Sequence, residues 1–505
     1  MRLPGASLMQ KWKQTAIFTL RFKMPTATTS ELSVPKFPLA QSGARFDKLC
    51  SAGRHRSFHS RSRPSTTLKL VSRMSSLLRA KPFTTSPTRQ QIIQTDDIRR
   101  KVTLCGNPPS NEIGSSQMKY WEIIANNLRK AGWSLGWVSA LCVCLWFWGK
   151  QSAIGQTKRP NTDPSRVREI VQAKAREAAT NAVEFGMWVH DREVITMALG
   201  NSMTTQKATT AMHYRIGGIA ETFMSTLLLM LVEQGRISLD DKISRWFPNL
   251  LAADKVTVRM LVANTAGYID YVRVKDFVNL ALAEPFRTFT DEELINYSIR
   301  DGKMNFEPGT SQQYSHTDNV ILGQVIQRAT KQSMKELYDK NIFGPLGMKD
   351  TEYPVDQNIK APVLHAFTMD RKIYEDCTYW NPFWGSSPGL PVSNLYDIGK
   401  WGPIFGTGHL ISCEHFKEQI APTSAGKGNN KPDLYFAYGF VVANGWLVQN
   451  PSINGYSGAF GYNMATGVTV VVETTKTEKT TTDASAFDIL REVSKYVTPG
   501  TPINF

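Results

Sequence analysis

The sequence predicts an α+β fold for residues 166–505, with an antiparallel sheet flanked by helices. Two alternating apolar runs within 185–200, separated by a polar tetrapeptide, are typical of a β-hairpin near the start of this region. Further strand-like runs lie between 435 and 448 and at 467–473, near its end. Because the residues between these runs are rich in helical periodicity, strands from both ends of the region are expected to enclose a helical middle.

The strongest helix signal lies at 219–233. Phe223, Leu227 and Met230 recur at helical spacing in a run that is apolar on nearly every face. Gly235 is placed to end this helix in a left-handed conformation. A helix with so little polar surface belongs in the interior of a domain, so we expect it at the centre of the fold.

Shorter elements surround this helix. A charged amphipathic helix is predicted at 166–180, and a closing helix is predicted at 483–496. A short helical turn is predicted to start at 238–241, and Pro248 is expected to end it.

The formal net charge of +16 is concentrated at the start of the chain. Residues 1–95 contain 17 Lys and Arg, with Glu31 and Asp47 as their acidic residues. The rest of the chain is close to neutral, which gives no indication of a nucleic-acid surface. Residues 1–115 are also rich in Ser and Thr. This composition predicts a largely disordered leader that targets the chain to mitochondria, with an untargeted basic tail as the alternative.

An uncharged segment at 131–149 predicts a transmembrane anchor. Lys130 and Lys150 bound it, its length matches the thickness of a bilayer, and Trp148 lies near one end. The alternative is a buried helix. A linker at 150–165 then leads into the globular domain. We predict a single-pass protein of a mitochondrial membrane, or alternatively of a secretory-pathway membrane with the domain in the lumen.

Cysteine and histidine spacings predict no metal site. Of the six cysteines, only Cys377 and Cys413 fall within residues 166–505. One possible pair does not make a disulfide framework, and neither cysteine has partners at metal-ligand spacing. We expect no metal and no cofactor.

Five segments together resemble one protein family. The segment RIGGIAETF at 215–223 resembles the active-site segment of the serine β-lactamase-like family, which includes class C β-lactamases, DD-peptidases and related esterases. Segments 256–271, 306–353, 380–401 and 454–473 resemble further blocks of that family, in the same order. The resemblance implies an antiparallel sheet flanked by helices, together with an all-helical subdomain.

The resemblance fails at the two residues that carry the family's chemistry. In the family the segment reads Arg-Ile-Gly-Ser-x-x-Lys-Thr-Phe, in which the serine is acylated and the lysine helps to remove its proton. The corresponding residues here are Gly218 and Glu221. Glycine offers no nucleophile, and a glutamate opposes the negative charge that a lysine would stabilise. We therefore assign no catalytic nucleophile from the sequence.

Two further family motifs are kept in part. The second motif, commonly Tyr-x-Asn, keeps Tyr314 in the proton-relay position and has His316 in place of asparagine. The third motif, commonly a Lys or His followed by Thr or Ser and Gly, has Tyr456 and Ser457 and so lacks its cation. The candidate pocket residues are accordingly these four side chains and Glu221.

Two classes of function remain open. The missing groups favour a non-hydrolytic pseudoenzyme that acts as a scaffold, a partner-binding subunit or a ligand-binding subunit, which would make the chain more likely not an enzyme. The alternative is a repurposed enzyme in which Glu221 is the general base and Tyr314, His316 and Tyr456 donate protons, for isomerisation or cyclisation of a small molecule, or a residual esterase or acyltransferase. A structural interpretation also stays open, in which Glu221 pairs with Arg215 or with another cation.

Overall fold

The computed structural model describes residues 159–382 and 391–505 and confirms the α+β fold, with helices packed on an antiparallel sheet. The strands are β1 Thr180–Val189, β2 Arg192–Met203, β3 Gln206–Lys207, β4 His213–Arg215, β5 Phe367–Thr368, β6 Glu375–Asp376, β7 Val392–Asn394, β8 Leu434–Phe436, β9 Val441–Ala443, β10 Trp446–Gln449, β11 Ser452–Ile453, β12 Tyr456–Asn463 and β13 Val468–Lys476. The main sheet has the order β3-β2-β1-β13-β12-β10-β9-β8, and β11 pairs with β12. The pairs β4–β7 and β5–β6 form two small separate sheets.

The helices fall before, between and after the strands. They are α1 Pro164–Ala178, α2 Ala220–Glu233, α3 Val258–Val262, α4 Lys275–Ala283, α5 Asp291–Ile299, α6 His316–Thr330, α7 Met334–Tyr338, α8 Gly344–Leu346, α9 Leu395–Gly406, α10 Cys413–Gln419 and α11 Ser485–Val497. Helices α1 and α11 cover one face of the sheet, and helices from the middle of the chain cover the other. The sheet therefore separates two hydrophobic clusters.

Helix α9 lies unusually close to the sheet because glycines form its contact face. A Cβ atom at Gly406 would lie 2.0 Å from the ring of Tyr462, and one at Gly402 would lie 2.4 Å from the Thr469 side chain. Their spacing of four residues places both on one face of the helix. No residue with a side chain fits at this distance, so the glycines fix how near α9 stands to the strands behind the candidate site.

Two glutamates face each other inside the main sheet. Glu184 on β1 is directly opposite Glu473 on β13, and Gly458 on β12 is opposite Glu473 on its other side. Both side chains are fully buried, and their carboxyl oxygens have no hydrogen-bond partner among the described residues. Burial raises the pKa of both groups, and the charge of Glu184 raises the pKa of Glu473 further. The carboxyls therefore hold protons at pH values where an exposed glutamate is ionised.

Most predicted elements are confirmed, with shifted ends. The hairpin at 185–200 is formed by β1 and β2, and the central helix α2 is nearly fully buried. Gly235 has φ +66°, as its predicted place after the helix requires. The prediction of one strand at 435–442 was wrong, because a turn containing Gly439 (φ +79°) divides it into β8 and β9.

The helical turn that was predicted to start at 238–241 and to end before Pro248 is present, but it starts later. The helical turn in this segment is a 3₁₀ turn at Ile243–Arg245, a few residues later. Ser238 and Asp241 instead form a local turn, in which the backbone N–H of Ser238 donates to the Asp241 carboxylate at 3.0 Å. Short polar side chains often compete with helical hydrogen bonding in this way.

The leader 1–115 and the predicted anchor 131–149 lie outside the described residues. Within residues 159–382 and 391–505, no helix is long and apolar enough to cross a membrane. The anchor therefore stays a prediction.

Candidate active site

Helix α2 begins directly after a tight turn that contains Gly218. This 3₁₀ turn spans Gly217–Ile219, and Gly217 has φ +50°. A Cβ atom at Gly217 would lie 2.6 Å from Pro451, so both its conformation and its surroundings require glycine. The turn places Glu221 in the first turn of α2, where the helix dipole favours a carboxylate.

Helix α2 is held in place by side chains from two neighbouring helices. Trp401 of α9 donates a hydrogen bond from Nε1 to Thr222 Oγ1 at 2.8 Å, and its ring packs against Phe223 with centroids 4.4 Å apart. Gln419 of α10 donates to Ser225 Oγ at 3.0 Å, one turn further along. These contacts fix the orientation of the helix that carries Glu221.

The Glu221 carboxylate receives three hydrogen bonds from three different elements. The Tyr314 hydroxyl, which precedes α6, donates to Oε1, and Asn319 of α6 donates from Nδ2 to the same oxygen at 3.1 Å. Gln449 of β10 donates from Nε2 to Oε2 at 3.5 Å and to the Gly439 carbonyl at 2.5 Å. The carboxylate is thereby a buried hydrogen-bond centre to which the helical region and the sheet both contribute.

Burial raises the pKa of Glu221 to about 7. The hydrogen bond from Tyr314, the charge of nearby His316 and the hydrogen bonds from Gln449 and Asn319 limit that rise. The same environment raises the pKa of Tyr314 well above its ordinary value, mainly by burial and by the charge of Glu221. Near neutral pH, Glu221 can therefore accept or release a proton while Tyr314 stays a neutral phenol.

His316 lies beside this pair and is oriented by a buried aspartate. Its Nδ1 is 3.1 Å from Asp270 Oδ1, and its backbone N–H donates to the same oxygen at 3.3 Å. The imidazole packs edge-to-face on the Tyr314 ring, with centroids 5.1 Å apart. The side chain of His316 is 15% exposed, whereas that of Asp270 is inaccessible to solvent. Asp270 therefore fixes a histidine at the solvent side of the Glu221–Tyr314 pair.

The space beside Gly218 is occupied by Gln449. A Cβ atom at Gly218 would lie 2.9 Å from Gln449 Oε1 and 3.6 Å from Glu221 Oε1. A serine at this position would thus have to displace the glutamine, which the Gly439 carbonyl holds in place. Where the family has a serine side chain at this position, the side chain of Gln449 fills the space instead.

The structure does not bring the third motif to this centre. The Tyr456 hydroxyl donates to the Leu364 carbonyl at 2.5 Å, and Ser457 Oγ accepts from the backbone N–H of Ala486 at the start of α11. The prediction that Tyr456 donates a proton in the pocket was wrong, because its hydroxyl is committed to a backbone carbonyl. Ser457 was wrongly taken as a pocket residue, because alternation along β12 turns its side chain to the opposite face of the sheet.

The suggested pairing of Glu221 with Arg215 was also wrong. The hydrogen bond of Arg215 runs from Nη2 to the Gln357 carbonyl at 2.6 Å, and the described part of the chain contains no ion pair between the two residues. Glu221 is hydrogen-bonded by neutral donors and forms no ion pair with Arg215, and burial raises its pKa by more than those donors and the charge of His316 lower it.

Sequence reasoning missed Asn319 and Gln449. Asn319 lies three residues after His316 on the same helix, so helical spacing could have indicated it. Gln449 lies 228 residues from Glu221 along the chain, and no local pattern marks it. Within the described ranges, no three His, Cys, Asp or Glu side chains are arranged to hold a metal ion.

A sheet covered by α1 and α11, with a site at the start of α2 on its other face, defines the class of serine β-lactamase-like proteins. The family model described as Beta-lactamase matches residues 167–495. The chain belongs to this family.

Curated relatives match the chain over part of its length. Penicillin-binding protein 4* of Bacillus subtilis is 27% identical over 139 residues, which are 27% of this chain and 30% of that protein. Esterase EstB of Burkholderia gladioli is 27% identical over 148 residues, which are 27% of this chain and 37% of the esterase. The chain thus spans about a third of the length of these relatives.

Solved structures share the fold over a greater length. A D-stereospecific amidohydrolase from Streptomyces sp. is 22% identical and superposes with a TM-score of 0.60, covering 67% of this chain and 99% of that one. D-amino acid amidase from Ochrobactrum anthropi is 20% identical with a TM-score of 0.56, covering 66% of this chain and 99% of the amidase. At this identity the likeness shows the fold.

These relatives correct one prediction. Because the serine and lysine of the family are absent, we predicted that the protein is more likely not an enzyme. The proteins to which it is similar, however, are named as an esterase, amidases and a penicillin-binding protein. The inference from Gly218 was too broad, because losing one nucleophile does not remove the other groups of a catalytic pocket. Tyr314 and His316 remain assembled around the Glu221 carboxylate, whose pKa is about 7.

Proposed function

We propose that this protein is an enzyme that hydrolyses a small ester or amide by general acid–base catalysis, without an acyl-enzyme. The observation that carries the proposal is the hydrogen bond from the Tyr314 hydroxyl to the buried Glu221 carboxylate, whose pKa is about 7. A general base is most effective when its pKa is near the working pH. Carbonyl hydrolysis as the reaction class is supported by the names of the relatives.

The pair acts as a two-proton relay. Tyr314 is half-buried, whereas Glu221 is 2% exposed, so Tyr314 is the less buried member of the relay. A water molecule attacking the acyl carbon gives its proton to the Tyr314 oxygen as the phenol proton passes to Glu221. The return of both protons protonates the departing alcohol or amine, and the products are a carboxylic acid and that leaving group.

Asn319 and Gln449 keep the relay in one geometry. Asn319 donates to both Glu221 Oε1 and the Tyr314 oxygen, at 3.1 and 3.3 Å, and so fixes the two atoms between which the proton moves. Gln449 holds the second carboxylate oxygen. Water is the attacking group in this proposal because Gly218 offers no side-chain nucleophile where the family has its serine.

Tyr314→Phe tests this proposal. The full-length chain is assayed against p-nitrophenyl esters and amino acid amides, and we expect the variant to lose about 100-fold or more in kcat/KM, the usual contribution of a positioned proton-transfer group. Tyr435→Phe is the matched control, because its hydroxyl donates to the Ile420 carbonyl outside the site. Failure of the unmodified protein to hydrolyse any substrate, or equal rates for Tyr314→Phe, would contradict the proposal. A trapped acyl-enzyme would contradict the direct attack of water.

We also propose that residues 131–149 anchor the chain in a membrane. The support is the sequence itself, which has 19 uncharged residues between two lysines. The full-length chain is expected to stay in the membrane pellet after alkaline carbonate extraction, and a chain lacking 131–149 is expected to be released. Release of the full-length chain would rule the anchor out.

A further inference from the structure

Arg215 is a buried cation whose hydrogen bonding is incomplete. The residue lies at the end of β4 and is 1% exposed. Its Nη2 donates to the Gln357 carbonyl at 2.6 Å, but Nε and Nη1 are buried without a hydrogen-bond partner among residues 159–382 and 391–505. An unpaired buried charge is strongly destabilising, and unmet donors add to that cost.

The nearby carboxylates do not serve as its counter-ion. Asp356 is close enough to influence the guanidinium, but its two oxygens accept from the backbone N–H and the side-chain amide of Asn358. Asp376 lies near Tyr379 and binds His365 Nδ1 at 2.7 Å. Neither aspartate forms an ion pair with Arg215 in the described part of the chain, so its charge is left without a direct partner.

Tyr456 and Cys377, which lie close enough to influence the Arg215 guanidinium, do not neutralise its charge. Burial raises the pKa of Tyr456 and of Cys377 well above their ordinary values, so neither group supplies negative charge near neutral pH. Tyr379 is 38% exposed and close enough for the guanidinium to influence its phenol. Of Arg215, Cys377, Tyr379 and Tyr456, Tyr379 is the residue that reaches solvent.

We propose that Arg215, together with Tyr379, forms a binding site for a small molecule that carries an anionic oxygen group, either a carboxylate or a phosphate. Such a group supplies the charge and the acceptor oxygens that the guanidinium lacks, and guanidinium–oxyanion hydrogen bonds are among the strongest in proteins. The site is distinct from the Glu221 centre, because Arg215 has no hydrogen bond or ion pair with any residue of that centre among the described residues. The ligand is therefore a second molecule or a remote part of the substrate.

Thermal unfolding of the full-length chain tests this site. Acetate and phosphate are each titrated against chloride at constant pH and ionic strength. A bound anion raises the midpoint along a saturating curve, whereas general salt exclusion raises it roughly in proportion to concentration. We expect a saturating rise, and the more effective of the two anions identifies the ligand as a carboxylate or a phosphate.

Three variants locate the effect. Arg215→Lys keeps the charge but loses the planar set of donors, so the apparent affinity is expected to fall at least about tenfold. Arg192→Lys, at an exposed position, is the matched control and is expected to keep the response. Glu221→Gln is also expected to keep it, which separates this site from the catalytic one. Equal midpoints in chloride, acetate and phosphate for the unmodified protein, or an unchanged response in Arg215→Lys, would overturn the proposal.

Discussion

Glu221→Gln is expected to reduce kcat/KM by about 100-fold to 10,000-fold, because it removes the proton acceptor of the relay and keeps its shape. In the unmodified protein the base is active when ionised. Since its pKa is about 7, kcat/KM is expected to rise as pH increases through 7 and to level off above it. The measurement is a pH profile of kcat/KM for both proteins on the best substrate of the ester and amide panel.

The same substitution is expected to stabilise the fold at alkaline pH. A glutamate whose pKa is raised from 4.5 to about 7 contributes stability that is present below 4.5 and lost as pH rises through 7, by about 3 kcal/mol in total. Glutamine has no such loss. At pH 8, Glu221→Gln should therefore lower activity and raise stability. A misfolded variant would lose both.

Glu184→Gln is the matched control for activity, since it removes another buried carboxyl outside the site. It should leave kcat/KM unchanged. Full activity in Glu221→Gln, or a pH profile without an inflection near 7, would show that Glu221 is not the base.

Glu473→Gln is expected to stabilise the protein at pH 8 by at least about 1 kcal/mol, because the folded protein must keep a proton on Glu473 that the unfolded chain releases, and each pH unit of that difference is worth about 1.4 kcal/mol. The carboxyls of Glu184 and Glu473 lie side by side across β1 and β13, without hydrogen-bond partners in the described residues. Both pKa values are raised by burial, so the folded state holds protons that the unfolded state releases. Stability is thus highest below about 4.5 for these groups and falls as pH rises.

The measurement is the unfolding free energy by denaturant titration between pH 5 and pH 8. All proteins in this series carry Glu221→Gln, because Glu221 would otherwise add its own decrease in stability over the same pH range. We expect stability to decrease across this range, and the decrease to shrink in Glu473→Gln and to shrink further when Glu184→Gln is added. A rise in stability from pH 5 to pH 8, or equal slopes in all these variants, would contradict the prediction.

Local patterns predicted the elements of this fold well, because its strands and helices follow their own periodicities. The hairpin of β1 and β2 and helix α2 are examples. The division of β8 from β9 escaped prediction because one glycine in a left-handed conformation interrupts an otherwise continuous apolar run. In an uninterrupted apolar sequence, such a turn has little local signal.

The site was predicted only where residues lie near the recognised motifs. Glu221, Tyr314 and His316 lie together, because each belongs to a family motif at or just before the start of a helix. Gln449 could not be found, since its approach to Glu221 depends on the order of strands in the sheet. Tyr456 was misjudged because a motif position does not reveal which acceptor a hydroxyl finds; here it is the Leu364 carbonyl.

The occupation of the Gly218 space by Gln449 has a practical consequence for detecting and inhibiting this protein. Covalent reagents that report on enzymes of this fold by reacting with the serine at that position have no atom to attack here, so activity-based profiling with them would overlook it. Reversible compounds suit the site better. A small scaffold that presents an amine or amidine to Glu221 would exploit the carboxylate that stands where the family has a lysine.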